Sequence, residues 1–412
     1  MHYLNIFGFA ASQEVIEEYD LAIVTYEVLA LRQWVYWKDI RRRLERLLTN
    51  SKRKVLLPQD DFTFSSRLDS LAIAAQVDSI WSPLSKDLDL LYPMSKKRGT
   101  RFELALTGYM EIDQISEYNS YVKEFREKRI DLGQRVSKLP ASFGAMAQRK
   151  AYIAEVFAEE FLRRGYLVDV STLSTDSFVG KGWLTFLGNT KFTISRKGGA
   201  SLGDTTNSMA DSISMLRLLF PFLSDGWVTK LASKRNVVEG EFDAISPRLF
   251  EAAALGVCQI LEEDEYLEGE MVAWEHYIPF SSDFSNLDEV FAFVEDDQAV
   301  QKMICDAKEL LIESGRYSYE SFVQRLISSE IDDKSRLTEE PVKIVDLDFI
   351  TEPSSVRTLV ALQALPILNI FSEIFKKTYR AQLKAISRLE RIPETLVLPW
   401  RGIYGSGFEQ NP

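Results

Sequence analysis

The stretch ISPRLFEAAALG, from Ile245 to Gly256, brings a hydroxyl, a cation and a carboxylate into a short span of chain. Ser246 suits a helix N-cap and Pro247 the first helical position. A helix begun this way presents unpaired N–H groups and the positive end of its dipole, where a phosphate is stabilised. Arg248, in the first turn, adds a cation able to grip phosphate at two points. Glu251 lies three residues on, hence on the same face, and a carboxylate there can accept both hydroxyls of a ribose diol. Ala252 to Ala254 are small enough to let the helix lie close on a sheet. Phosphate plus ribose means a nucleotide. The plainer alternative is a capped helix closed by an Arg248–Glu251 ion pair.

Such a motif needs a framework, and the chain supplies one. Short apolar runs (YLNIFGF, LAIVTYE, KVLLPQ, SIWSP, FELALTGY) read as buried strands. Helical spacing over residues 28–49 and 64–76 separates them, which implies βαβ units and a parallel sheet. The polar stretch 112–140 closes at Pro140. A second α/β series follows: a helix ended by Gly165, a strand YLVDVS, a helix in FVGKGWLTFLG and a strand KFTIS. RKGGASLGDTTNS reads as a polar loop. Beyond the opening motif come the strand VCQIL and helices near 286–296, 298–314 and 317–328. Residues 331–354 read as a linker, and the remainder as an amphipathic helical tail broken at Pro366.

The expectation is an α/β protein with two Rossmann-like domains facing across a cleft, spanning 1–135 and 136–330, followed by a tail over 331–412. A chain of 412 residues is too long for one ordinary core. Ligands of open α/β sheets lie at the carboxyl ends of the strands, so the site belongs in the cleft.

Composition narrows the classes. Hydrophobic residues make up 46% and charged residues 27%, the balance of a water-soluble globular chain. MHYLNIFGFAA lacks the basic start of a signal peptide, and no apolar run reaches membrane-span length. Two cysteines, Cys258 and Cys305, make no disulfide framework, so a cytoplasmic setting is expected. Two histidines argue against a His-rich metal site, and a net charge of −12 against nucleic-acid binding. Basic charge is concentrated, however, in the Trp/Arg-rich stretch 32–46 and in 376–391, where six basic residues face one acid. Basic helices with aromatic residues can lie on anionic membrane surfaces, and a solvated helix face is the simpler alternative for each.

Several stretches together resemble a known family. ISPRLFEAAALG, HYIPFSSDFSNLDEVFAFV and SGRYSYESFV are similar to the donor-binding half of GT-B glycosyltransferases from bacterial surface-polysaccharide and O-antigen clusters. LPASFGAMAQRKAYIAEVF, DVSTLSTDSFVGKGWLTFL and GGASLGD follow in the same order and spacing, and KVLLPQDDF and LALTGYM fit in the first half. The resemblance covers roughly residues 20–330. It implies transfer of a sugar from a nucleotide-activated donor to a saccharide or lipid-linked acceptor, without a metal and with no other cofactor.

Carried over by position, Glu251 resembles the carboxylate that holds the donor ribose, and Ser246 and Arg248 stand where phosphate or sugar is held. His276, Asp283 and Asn286 fall in the segment that flanks the donor sugar. Arg135 and Lys150, at the opening of the second domain, are the implied diphosphate cations. Fixed cations stabilise a departing diphosphate in place of Mg²⁺. The chain departs from the family at Lys197, near the place of an acidic residue. A lysine there could hold phosphate, or mark an altered donor or lost activity. Gly198 and Gly199 would let backbone approach a ligand, or simply form a turn.

An inverting transfer needs a base for the acceptor hydroxyl, and a retaining one does not. PQDDF ends a strand of the first domain, which puts Asp60 and Asp61 in the cleft as candidate base or acceptor contacts. DLD at 346–348 and EEDE at 262–265 read as linker and solvated loop. A non-catalytic nucleotide- or sugar-binding protein and a nucleotide-sugar epimerase of the same architecture remain open alternatives.

Overall fold

The computed structural model describes residues 2–3, 19–232, 234–331 and 343–344. Strand β1 (His2–Tyr3) pairs with β13 (Lys343–Ile344) as a separate two-stranded ladder. The first half holds β2 (Tyr19–Val24), β3 (Ser51–Leu56), β4 (Ser79–Ser82) and β5 (Arg101–Leu104), all parallel and in chain order. Alternation along the strands divides their side chains between two layers. Leu56 and Ile80 pack with Trp37, Ile40, Leu44 and Leu48, the apolar stripe of the helix Trp37–Thr49. Val55 and Trp81 belong instead to a cluster with Leu326 and Phe322 of the helix Tyr319–Glu330. The last described helix of the second half is thus a wall of the first.

That helix is pinned by a carboxylate. The Glu330 side chain has no exposed surface. It pairs with Arg101 at 2.5 Å and accepts from Ser79 Oγ at 2.6 Å and Trp81 Nε1 at 3.1 Å.

The second half is a five-stranded parallel sheet in the order β12-β11-β8-β6-β7. Its strands are β6 (Ile130–Arg135), β7 (Val168–Ser171), β8 (Thr190–Ser195), β11 (Cys258–Glu262) and β12 (Ile278–Phe280). Leu132, Phe192, Ile194, Ile260 and Ile278 form its core with Phe157 and Phe161 of the helix Ala145–Arg163. The chain leaves β6 to one side for β7 and returns to the other side for β8. The reversal between β6 and β8 opens a crevice at their carboxyl ends. The expected α/β class, with two Rossmann-like units, stands. β6, the stretch just before the expected boundary at 135, lies within the second sheet.

The polar stretch 196–208 was expected to be a loop. It is mostly strand: β9 (Gly198–Asp204) pairs antiparallel with β10 (Val237–Ala244), with a bulge between Glu239 and Phe242. Gly199 has φ +124°, and a Cβ there would fall 1.9 Å from the Phe242 carbonyl oxygen. The glycine serves strand-to-strand approach. Ala200 and Phe242 of this ribbon are buried in the core of the first half.

The continuous helix expected over 28–49 is interrupted, because Trp34 is extended. Arg32 is buried here and donates to the carbonyls of Leu29, Gln59, Asp60 and Thr63. Trp37, in the stretch read as either a membrane-surface helix or a solvated helix face, is 5% exposed in the core. A surface helix at 32–46 would therefore lack that apolar anchor. Residues 376–391 lie outside the described residues. Among the described residues, no helix is long and apolar enough to cross a membrane, and both cysteines are free thiols.

Glu330→Ala should lower stability by about 3 kcal/mol, since it removes charge-assisted hydrogen bonds and strands buried partners. Urea unfolding followed by far-UV circular dichroism checks this. An unchanged midpoint would mean that apolar packing alone holds the helix.

Candidate functional site

A crevice of about 450 Å³, open solvent included, lies over the carboxyl ends of β6, β8 and β11. Gln134, Thr193, Ser195 and Gln259 form its floor, and Trp183, Arg196, Lys197, Ser246 and Arg248 its polar walls. The helix Arg248–Ala254 stands at one side. Ala252, Ala253 and Ala254 are buried, which brings the helix close against its neighbours. No side chain caps it; the Ser246 carbonyl accepts from Leu249 N at 3.1 Å, and the Ser246 hydroxyl is left free of a capping bond.

Three cations converge here. Arg248 is exposed to the crevice yet crowded by protein, and desolvation lowers its pKa. Lys150 comes from the helix Ala145–Arg163, is partly buried, and stands beside the crevice rather than among the residues that line it. A Cβ at Gly198 would lie 3.6 Å from its Nζ. Desolvation, then repulsion from Arg248 and Arg196, lowers the Lys150 ammonium to about 7. It has no hydrogen-bond or ion-pair partner among the described residues. Elsewhere around the crevice charge is matched. Arg196 Nε lies 2.7 Å from Glu262 Oε2, and Arg149 Nε donates to Glu262 Oε1 at 2.7 Å. Positive charge is therefore in surplus at the edge of the crevice, around Arg248 and Lys150.

Arg248 and Glu251 do not pair with each other. The Arg248 guanidinium stacks on Trp183 at 4.9 Å and donates to the Arg135 carbonyl. Trp183 Nε1 donates to Glu251 Oε2 at 2.8 Å. The indole holds the cation and the carboxylate apart; Trp183 and Arg248 line the crevice, and Glu251 stands behind the indole, outside that lining. Burial raises the Glu251 carboxyl, while Trp183 and Arg248 oppose that shift.

Other expected residues are employed differently. Arg135 is buried between Phe178 and Phe186, with its guanidinium 4.8 and 4.3 Å from their ring centres. It donates to the carbonyls of Gln134, Asp169 and Asp176 and pairs with Asp169 Oδ1 at 2.6 Å, so little of it is left for a ligand. Lys197 reaches the crevice, but Asp264 at 3.1 Å and Asp243 at 3.5 Å neutralise it. His276 Nδ1 accepts from Val272 N at 3.0 Å within its own loop. Asp283 is exposed and accepts from Ser285 N at 3.0 Å. Asn286 accepts from Ser281 N and donates to the Pro279 carbonyl, shaping the turn after β12. None of these last three lines the crevice.

The two first-half acids part company. Asp61 is fully buried and accepts from Ser82 Oγ and Tyr92 OH, both at 2.8 Å. Asp60 has left-handed backbone (φ 51°) and an exposed side chain in crowded surroundings, which raise its carboxyl. Its loop abuts the second half, where Phe64 N donates to the Asp204 carbonyl at 3.1 Å.

Sequence reasoning missed Arg196, Trp183 and the EEDE acids. Arg196 directly follows the strand KFTIS, a position available as a signal. Glu262 is 7% exposed and ion-paired, and Asp264 meets Lys197, so the stretch is not simply a solvated loop.

No protein-family model matches the chain, and no curated protein matches it. Solved structures do. TarM shares 9% identity at a TM-score of 0.41, over 75% of this chain and 54% of its own. Anabaena Alr3699/HepE in complex with UDP-glucose shares 10% at 0.37, over 73% and 81%. A glycosyltransferase from Rickettsia africae ESF-5 shares 7% at 0.31, over 76% and 98%. The chain thus spans about half the length of TarM.

The folded Lys150 titrates below its unfolded value, so the unfolded chain binds the extra proton above about pH 7 and stability rises with pH there. A bound dianion holds that proton in place. Sulfate affinity, read from thermal protection, should fall about tenfold between about pH 6.5 and about pH 8. Lys150→Arg should flatten the profile. A flat wild-type profile would remove Lys150 from anion binding.

Proposed function

We propose that the chain is a metal-independent GT-B glycosyltransferase of the surface-polysaccharide type. It moves a sugar from a nucleotide-activated donor to a saccharide or lipid-linked acceptor. The observation that carries this reading is the unpartnered Lys150 ammonium beside Arg248 and Arg196, at the switch point of a parallel sheet. A diphosphate supplies the missing negative charge. As the sugar–phosphate bond breaks, charge grows on the departing diphosphate, and prepositioned cations stabilise it without reorganising.

Glu251 accepts hydrogen bonds from the ribose diol, and Trp183 fixes its orientation through the indole N–H. The base packs in the apolar part of the crevice, near Leu187 and Leu261. Asp60, on the first-half side, takes the proton of the acceptor hydroxyl if configuration inverts. Its raised carboxyl suits a group that must accept and later release a proton. Lys197, paired with Asp243 and Asp264, acts as a structural strut within the donor wall, which explains how a lysine can stand near the place of an acid.

The experiment is a thermal-shift screen with UDP, GDP, dTDP, CDP and CMP on wild type and Glu251→Ala. A nucleotide at 100 times its dissociation constant adds roughly 2.7 kcal/mol, a shift of a few degrees. One nucleotide should stabilise the wild type, and the variant should lose that effect. The matching nucleotide-sugar should then release its nucleotide, in a reaction that Asp60→Asn slows at least about tenfold. Stabilisation without any turnover would favour a binding protein, and acceptor-free conversion of the donor an epimerase.

A further inference from the structure

Between β9 and β10 the chain makes an excursion over residues 205–236, built from the helices Ser208–Leu219 and Asp225–Leu231. Leu218, Leu219, Phe220 and Phe222 are 55, 57, 43 and 81% exposed, and Pro221 between them is exposed too. Trp227 and Leu231, on the second helix, are more than half exposed. Isolated exposed apolar residues are ordinary, but an unbroken run of five, extended by a tryptophan, marks a contact surface.

Charge identifies what it contacts. The whole chain carries −12, yet residues 208–235 hold Arg217, Lys230, Lys234 and Arg235 against Asp211 and Asp225, a local balance of +2. Both acids are engaged: Asp225 pairs with Arg217, and Asp211 Oδ1 accepts from Asn207 Nδ2 at 2.9 Å. Lys230 and Lys234 are exposed, and the Lys230 ammonium lies 5.1 Å from the Trp227 ring centre. Leucine and phenylalanine at a turn, with tryptophan and lysine beside them, match the layers of a bilayer interface: acyl boundary, then anionic headgroup.

We propose that this excursion seats on an anionic lipid surface. Leu218 to Phe222 and Trp227 enter the interface, and Lys230 and Lys234 meet the headgroups. The excursion packs on the short helix Ala141–Phe143, and Phe143 touches Phe62, two residues from Asp60, with ring centres 5.4 Å apart. A lipid-linked acceptor held in that surface would present its sugar on the Asp60 side of the cleft. This last step rests on the glycosyltransferase reading; the docking itself does not.

The test uses the full chain and flotation with phosphatidylcholine vesicles, with and without about 30% phosphatidylglycerol. Wild type should float with the anionic vesicles. Phe222→Glu/Trp227→Glu, with its melting temperature unchanged, should lose at least about tenfold in binding, and Lys230→Glu/Lys234→Glu should lose the preference for anionic lipid. An environment-sensitive dye on Phe222→Cys, in a Cys305→Ser background, should shift to the blue on vesicle addition. Flotation with the dye still in water would overturn the proposal, since another segment, such as 376–391, would then hold the membrane. Loss of self-association instead of flotation in the Phe222→Glu/Trp227→Glu variant would also overturn it, making the patch a contact between copies. A chain that floats but binds no nucleotide keeps the docking and loses the glycosyltransferase reading.

Discussion

Everything in the cleft depends on how the helix Tyr319–Glu330 lies against the first sheet, and that placement rests on the buried Glu330 carboxylate. Its partner Ser79 is 251 residues away in sequence. A carboxylate without exposed surface tolerates few alternative settings: displaced from Ser79, Trp81 and Arg101, it would be a buried charge without compensation. Apolar packing of Trp81 on Phe322 supplies the area, and the carboxylate supplies the register. Once that helix is fixed, the two halves share a wall through Val55, Trp81, Phe322 and Leu326.

The second half shows how a cation can be kept available. Most charges around the crevice are consumed internally: Glu262 by two arginines, Lys197 by two aspartates, Arg135 by carbonyls, a carboxylate and two aromatic rings. These pairs fix the walls without attracting a ligand. Against that scaffold, Lys150 is held near two arginines with no hydrogen-bond or ion-pair partner among the described residues. Desolvation first, and those arginines second, depress its proton affinity.

Much of this was legible in the sequence, and what was not has a physical reason. The strands at Val55, Ile80, Phe192 and Ile260 are short apolar runs between turns, and they stand as strands. Ser246 and Arg248 of the opening motif do line the crevice, but Glu251 is tied to it only through Trp183, which no local pattern connects to the motif. β9 escaped notice because its glycines and polar residues lack strand propensity; pairing with β10, beyond a helical excursion, makes it a strand. Arg135 and Lys150 look alike as cations near a domain opening. Phe178 and Phe186, far along the chain, occupy the first and leave the second. Asp60 and Asp61 are adjacent acids at a strand end; the backbone turns left-handed at Asp60, and Ser82 and Tyr92, distant in sequence, hold Asp61 in the core.

The burial of Ala200 and Phe242 in the core of the first half bears on how such a chain can be recombined. A donor unit and an acceptor unit that met only across a cleft could be exchanged like cassettes, each carrying its own specificity into a new pairing. Here the second half lends two side chains and a helix to the interior of the first. A chimera cut between the sheets would leave a hole where Phe242 sat and an uncovered face where Trp81 met Phe322. Exchange of one half alone would therefore cost the other part of its interior, whereas substitutions on the crevice walls leave that shared core intact.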